Sequence, residues 1–196
     1  LNYLAHLFLS QPTVESRVGN MMGDFLKGVT RSELSDELQS GIDNHLLVDR
    51  VCDGFLPVKD ARKLFPQHQR RFAGVAMDVI FDHFLIRDWS LYSEQPRDVF
   101  IKECYQDLLN GRDLMHPRML STVQKIVSQD WLNSYEETDQ LGYALDRIAS
   151  RIRFENQFHS SIETFYRHEA ELKAVFDQLM PELIRVVGER QGNDSL

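Results

Sequence analysis

Apolar positions recur at helical spacing along almost the whole chain, and alternating runs of strand character are few. The pattern predicts a first helix from about Tyr3 to Leu9. It stops before Gln11-Pro12, because the residue preceding a proline avoids the helical region. A second is predicted from Thr13 to Lys27, closing at Gly28 as a C′ glycine. Its middle, Gly19-Asn20-Met21-Met22-Gly23-Asp24, is rich in glycine and is where it can break. A third covers Ser35 to Cys52, and a fourth starts near Pro57 and stops before Pro66. The fifth runs from about Gln69 to Trp89. Between Phe72 and Trp89 it holds twelve apolar residues, one glycine and five ionisable groups. Its apolar positions point in every direction, so it is expected at the centre of the molecule. Later helices are predicted at Arg97 to Asn110, Pro117 to Val127, Leu141 to Ile152 and Ile162 to Arg190, the last kinked at Pro181. The tail, Gln191 to Leu196, is polar and expected to fray. The fold class read from this pattern is an all-α helical bundle.

Length and composition keep that picture simple. At 196 residues, with ten glycines, six prolines, no low-complexity linker and no repeat, the chain reads as one domain over residues 1–196. Apolar residues make up 42% and charged residues 27%, a mix that folds. Thirty acids against 22 Lys and Arg give a net charge of −8, which argues against sequence-independent nucleic-acid binding. No run of 18 apolar residues exists to span a membrane, and the apolar N-terminus lacks the basic region of a signal peptide. Cys52 and Cys104 belong to no CxxC, so neither a disulfide framework nor a cysteine-zinc site can be built. A reduced cytosol, hence a cytoplasmic location, is expected.

The chemistry concentrates in the first half. Asp78 and Asp82 are i,i+4 on the central helix, with His83 beside them. Two carboxylates on one buried face repel, so one takes up a proton or a cation holds both. His45 and Asp49 form a second i,i+4 pair, able to grip one cation. His6 and Asp24 are single polar residues in apolar surroundings. Each admits a plainer role: His6 as a hydrogen-bonded core histidine, Asp24 as a cap, His45 and Asp49 as a surface pair. Their convergence on one half of a helical bundle favours a shared site. Imidazole and carboxylate without thiolate suit Mn²⁺, Mg²⁺ or Fe²⁺, with Zn²⁺ as a further option. The ligand core is read as His45, Asp49, Asp78 and Asp82, with His6, Asp24 and His83 next. Asp24, Asp82 and His83 are the catalytic candidates, a carboxylate of the set serving as general base. Arg50 orients Asp49 or faces a phosphate. Such a site points to phosphoester hydrolysis. No P-loop, Rossmann fingerprint or GxSxG occurs.

Asn2-Tyr3-Leu4-Ala5-His6-Leu7, Gly19-Asn20, Gly23-Asp24-Phe25, Gly41-Ile42 through His45 to Asp49-Arg50, and Asp78 through Asp82-His83-Phe84-Leu85 together resemble the bacterial acyl carrier protein phosphodiesterase family. The resemblance implies an all-helical fold related to HD-type metal-dependent phosphohydrolases. It implies removal of the 4′-phosphopantetheine arm from holo-acyl carrier protein, with manganese as activating metal. The adjacent His-Asp dyad of ordinary HD enzymes is missing, since Asp82-His83 has the reverse order. Only the type of site therefore carries over. An HD-type hydrolase of nucleotides and a non-catalytic module with a structural metal are the alternatives. Acyl carrier proteins are acidic, as the resemblance implies, and this chain is acidic too. Docking is expected to use a local basic patch, with Lys27, Arg31, Arg70, Arg71, Arg147 and Arg151 as candidates.

Overall fold

A computed structural model describes residues 1–136, 138, 141–145 and 161–193. Several of its helices begin where short polar side chains or prolines can satisfy the first turn. Thr13 Oγ1 accepts from Ser16 N at 3.2 Å to open α2 (Val14–Met22). Ser35 Oγ accepts from Leu38 N at 3.3 Å to open α3 (Asp36–Gly54). Pro117 occupies the first turn of α7 (Pro117–Ser128). Further helices are α1 (Tyr3–Phe8), α4 (Leu56–Ala61), α5 (Ala73–Arg87), α6 (Arg97–Asn110) and α8 (Ser161–Asn193). No strand occurs among the described residues, so the all-α expectation holds.

Three elements differ from expectation. The second helix ends at Met22 and tightens into a 3₁₀ turn over Gly23–Phe25, and Gly28 adopts φ +86° in the loop beyond it. The fifth is flanked by 3₁₀ turns at Arg70–Phe72 and Trp89–Leu91, so its α-helical part is shorter. In α8 the non-helical dihedrals fall at His168, not at Pro181. There the His168 Nδ1 atom lies 3.1 Å from Glu171 Oε1, across the turn where the helix resumes. Residues 141–145 are helical; the rest of the helix expected to Ile152 lies outside the described residues. Helix α8 continues through Gln191 to Asn193, where fraying was expected.

Helix α5 is central, as its all-round hydrophobicity requires. Met77, Ile80, Phe81, Phe84 and Leu85 are at most 1% exposed. Phe81 and Phe84 pack on Phe176 of α8 with ring centroids 5.8 Å apart, and Phe84 meets Phe165 at 6.0 Å. Burying each such ring contributes about 1.5–3 kcal/mol. Helices α2 and α3 cross at two glycines. A Cβ on Gly19 would lie 2.9 Å from Gly41 Cα, and one on Gly41 2.8 Å from Ser16 O. Only glycine permits that backbone approach. At the crossing Asn44 donates to Asn20 Oδ1 at 3.0 Å and to Leu9 O at 2.9 Å. These buried amides fix α3 against α2 and the end of α1.

Candidate metal centre

Six residues make too short a helix to persist alone in water, so α1 needs an anchor. Its N-cap residue, Asn2, makes no capping bond and donates instead to the Tyr135 hydroxyl at 2.9 Å. The cap comes from α5. Leu4 N–H donates to Asp82 Oδ2 at 2.9 Å and Ala5 N–H to Oδ1 at 3.0 Å. A carboxylate at a helix N-terminus answers both the orphan donors and the helix dipole. The next residue is His6, 2% exposed.

Helix α3 brings His45 and Asp49 to the same place. The His45 ring stacks on His6, centroids 3.9 Å apart and planes inclined by 15°. Gly23 leaves it room, because a Cβ there would fall 2.2 Å from His45 Cγ and Cδ2. Asp49 faces both rings: Oδ1 is 3.2 Å from His6 Nε2, and Oδ2 is 3.2 Å from His45 Nε2. His6, His45 and Asp49 form the one group of three or more such ligand atoms, among the described residues, that all lie within 4.8 Å of one another.

The electrostatics favour ligation. Burial pushes the His6 imidazole down to about 3, despite the pull of Asp49, so the ring stays neutral with a lone pair to give. Burial opposes ionisation of Asp49, yet the His45 and His6 imidazoles outweigh it and hold the carboxyl below the usual carboxylate range. Cys52, one turn on from Asp49, is pushed up to about 11 by burial and stays a thiol. The His6 Nε2 atom is buried and, for all its nearness to Asp49, has no hydrogen-bond partner. An orphaned imidazole nitrogen beside a second imidazole and an ionised carboxylate fits a divalent cation such as Mn²⁺, Fe²⁺ or Zn²⁺.

The remaining expected residues spread around this group. Asp24 is half-exposed, with Oδ1 3.7 Å from His45 Nε2. Asp78 Oδ1 accepts from the backbone nitrogen of Leu1 at 3.0 Å, and that nitrogen lies 3.9 Å from Asp49 Oδ1. Asp82 is not brought among the clustered ligand atoms. It is fully buried, and its carboxyl is pushed up to about 7 by that burial, with the Leu4 and Ala5 amides pulling the other way. His83 departs from its expected role. Its Nδ1 lies 2.7 Å from Tyr135 O and its ring meets Phe165 edge-on at 5.4 Å, inside the core. Burial lowers its affinity for a proton.

Of the docking candidates, Lys27 is exposed; Arg50, expected to orient Asp49 or face a phosphate, is exposed too. Arg31 pairs with Asp43 at 2.7 Å, Arg70 donates to Phe65 O at 3.2 Å, and Arg71 lies over the Phe72 ring at 5.7 Å. Arg147 and Arg151 lie outside the described residues.

Two supports went unread in the sequence. Gly23 lies where the helix was expected to break, and α2 does end before it, but Gly23 also admits the His45 ring. His116, just before α7, has Nε2 2.9 Å from Phe25 O and holds the turn that carries Asp24. A lone histidine 91 residues away in sequence gives no local signal of that contact.

The profile described as "Acyl carrier protein phosphodiesterase" matches residues 1–183. A protein of that name from Klebsiella pneumoniae (strain 342) is 31% identical over 192 residues, covering 97% of this chain and all of the relative. One from Escherichia coli O157:H7 is 29% identical over 185 residues, covering 94% and 96% of the two chains. One from Serratia proteamaculans (strain 568) is 30% identical over 192 residues, covering 97% and 100%. No solved structure matches this chain. The histidines and aspartates thus meet within a segment matched nearly end to end, and the chain belongs to the acyl carrier protein phosphodiesterase family.

Proposed function

We propose that this protein is a metal-dependent phosphodiester hydrolase that removes 4′-phosphopantetheine from holo-acyl carrier protein, giving apo-protein and free 4′-phosphopantetheine. The observation that carries this reading is the meeting of His6, His45 and Asp49 in a chain whose relatives bear that name. His6, His45 and Asp49 would hold one divalent cation, manganese in first place, with Mg²⁺, Fe²⁺ or Zn²⁺ as substitutes. When bound, such a cation neutralises charge on the phosphoryl group and makes water acidic enough to attack near neutral pH. Asp24, half-exposed beside His45, takes the proton of the attacking water. The water oxygen joins phosphorus, the bond from phosphorus to the carrier serine oxygen breaks, that oxygen takes a proton from solvent, and Asp24 returns its proton to solvent. The type of site is the ground for grouping the protein with HD-type phosphohydrolases. Two free, buried thiols suit a reduced cytosol. The exposed Lys27, three residues from Asp24, is the docking cation we favour for an acidic carrier.

Incubation with holo-carrier protein and Mn²⁺ is expected to yield a carrier lighter by one phosphopantetheine arm, read by intact-protein mass spectrometry. His45→Ala is expected to lose that conversion by at least a hundredfold. Conversion that persists in His45→Ala, or in chelator, would place the chemistry elsewhere.

A further inference from the structure

The Asp82 carboxylate is 0% exposed, and each of its oxygens accepts a backbone N–H from the start of α1. A buried carboxylate is costly unless hydrogen bonds compensate it, and two amides at a helix N-terminus are a strong compensation. Helix α1 has no other side-chain cap: Asn2 stands at the N-cap in extended backbone, with its amide turned to Tyr135. The last amide that Asp82 holds belongs to Ala5, and the following residue carries the imidazole that stacks on His45. From this chain of contacts, and resting on the metal-centre reading above, we infer that Asp82 is a positioning residue. It sets His6 against His45 and Asp49 through the start of α1, and does not itself hold the cation.

Backbone amide exchange and chemical shifts test this without any turnover. In chelator-treated wild-type protein the Leu4 and Ala5 amides are expected to exchange slowly, and addition of diamagnetic Zn²⁺ leaves them protected. In Asp82→Asn, with helicity by circular dichroism retained, protection at both amides falls at least tenfold and the His6 ring signals move. The Kd for Zn²⁺ rises ten- to hundredfold, as when a group that orients a ligand is lost. Adding Asn2→Asp gives α1 a carboxylate cap of its own and is expected to restore most of that affinity, which no N-cap residue would do for a lost ligand. Loss of protection at Leu4 and Ala5 when Zn²⁺ binds the wild type would overturn the inference. So would a double variant as weak as Asp82→Asn alone. If Asp82→Asn does not fold, wild-type exchange with and without Zn²⁺ decides. If the wild type binds no Zn²⁺, the metal-centre reading falls instead, and the His6 ring signals and α1 amides of Asp82→Asn still decide whether Asp82 sets His6.

Discussion

The His45 imidazole lies against Gly23 on one side and His6 on the other, and there is no space in that stack for a further methyl group. Two rings this close tolerate little positive charge, and His6 is the one that burial holds neutral, down to about 3. That has a consequence for stability with a fixed sign. An unfolded histidine titrates near 6.5. Between about pH 6.5 and 3 the unfolded chain therefore binds the proton that folded His6 refuses. Stability of the metal-free protein falls through this window as pH drops, by up to about 1.4 kcal/mol per pH unit from this group alone. His6→Asn removes the titration. Relative to wild type, the variant is expected to gain stability as pH falls from 6.5 to 4, compared by urea unfolding in chelator. Parallel pH profiles for the two proteins would mean that folded His6 carries a proton after all.

Helix starts were legible because their causes are local: Ser35 and Thr13 cap, Pro117 opens, and all-round hydrophobicity put α5 in the middle. Contacts between helices were not, because no local rule states them. The Asp78 and Asp82 pair shows why. The expected burial of both carboxylates demanded compensation, and the residue pattern admitted a proton or a cation; in the structure Asp82 is buried and Asp78 is 35% exposed. The amides that Asp82 uses lie 77 and 78 residues away, and backbone donors leave no trace in side-chain composition. His83 was drawn into the site by adjacency, yet successive residues on a helix point about 100° apart; it faces the Tyr135 carbonyl instead. His45 and Asp49, one turn apart on α3, were legible as a pair because the helix alone brings them together. The same limit applied to Gly19, which read as a place to break, and to Gly41; both are places to touch. Gly41→Ala forces a methyl to 2.8 Å from Ser16 O and 2.9 Å from Gly19 Cα. Both are backbone atoms, so the two helices must part. The expected cost is about 1–3 kcal/mol of stability, with a measurable loss of Mn²⁺ affinity, because α3 carries His45 and Asp49. As a control, Gly188→Ala on α8, where nothing lies within 4 Å, is expected to leave both unchanged or to stabilise slightly.

At the scale of the molecule, the centre sits in a chain of net charge −8, with Asp24 and Asp49 flanking His45 and Asp78 linked to Asp49 through the Leu1 nitrogen. The residues that would hold the cation come from α1 and α3, and their nearest supports come from α5 and the 3₁₀ turn before Leu26. The unfolded chain offers no such meeting, since His6 and Asp49 are far apart in sequence. A cation bound there is therefore bound by the native state alone, and its binding free energy adds to folding. At a free Mn²⁺ concentration a hundredfold above Kd the gain is about 2.7 kcal/mol. For a domain of this size each kcal/mol moves Tm by roughly 2–4 °C. Titrating Mn²⁺ into chelator-treated protein is thus expected to raise Tm by roughly 5–10 °C, with Asp49→Asn abolishing the rise. A cation held by non-specific attraction to an acidic surface behaves differently: it is screened by salt over a Debye length of about 8 Å and survives loss of one carboxylate. A shift that vanishes in 0.15 M NaCl, or persists in Asp49→Asn, would assign the stabilisation to the general negative field instead of to His6, His45 and Asp49.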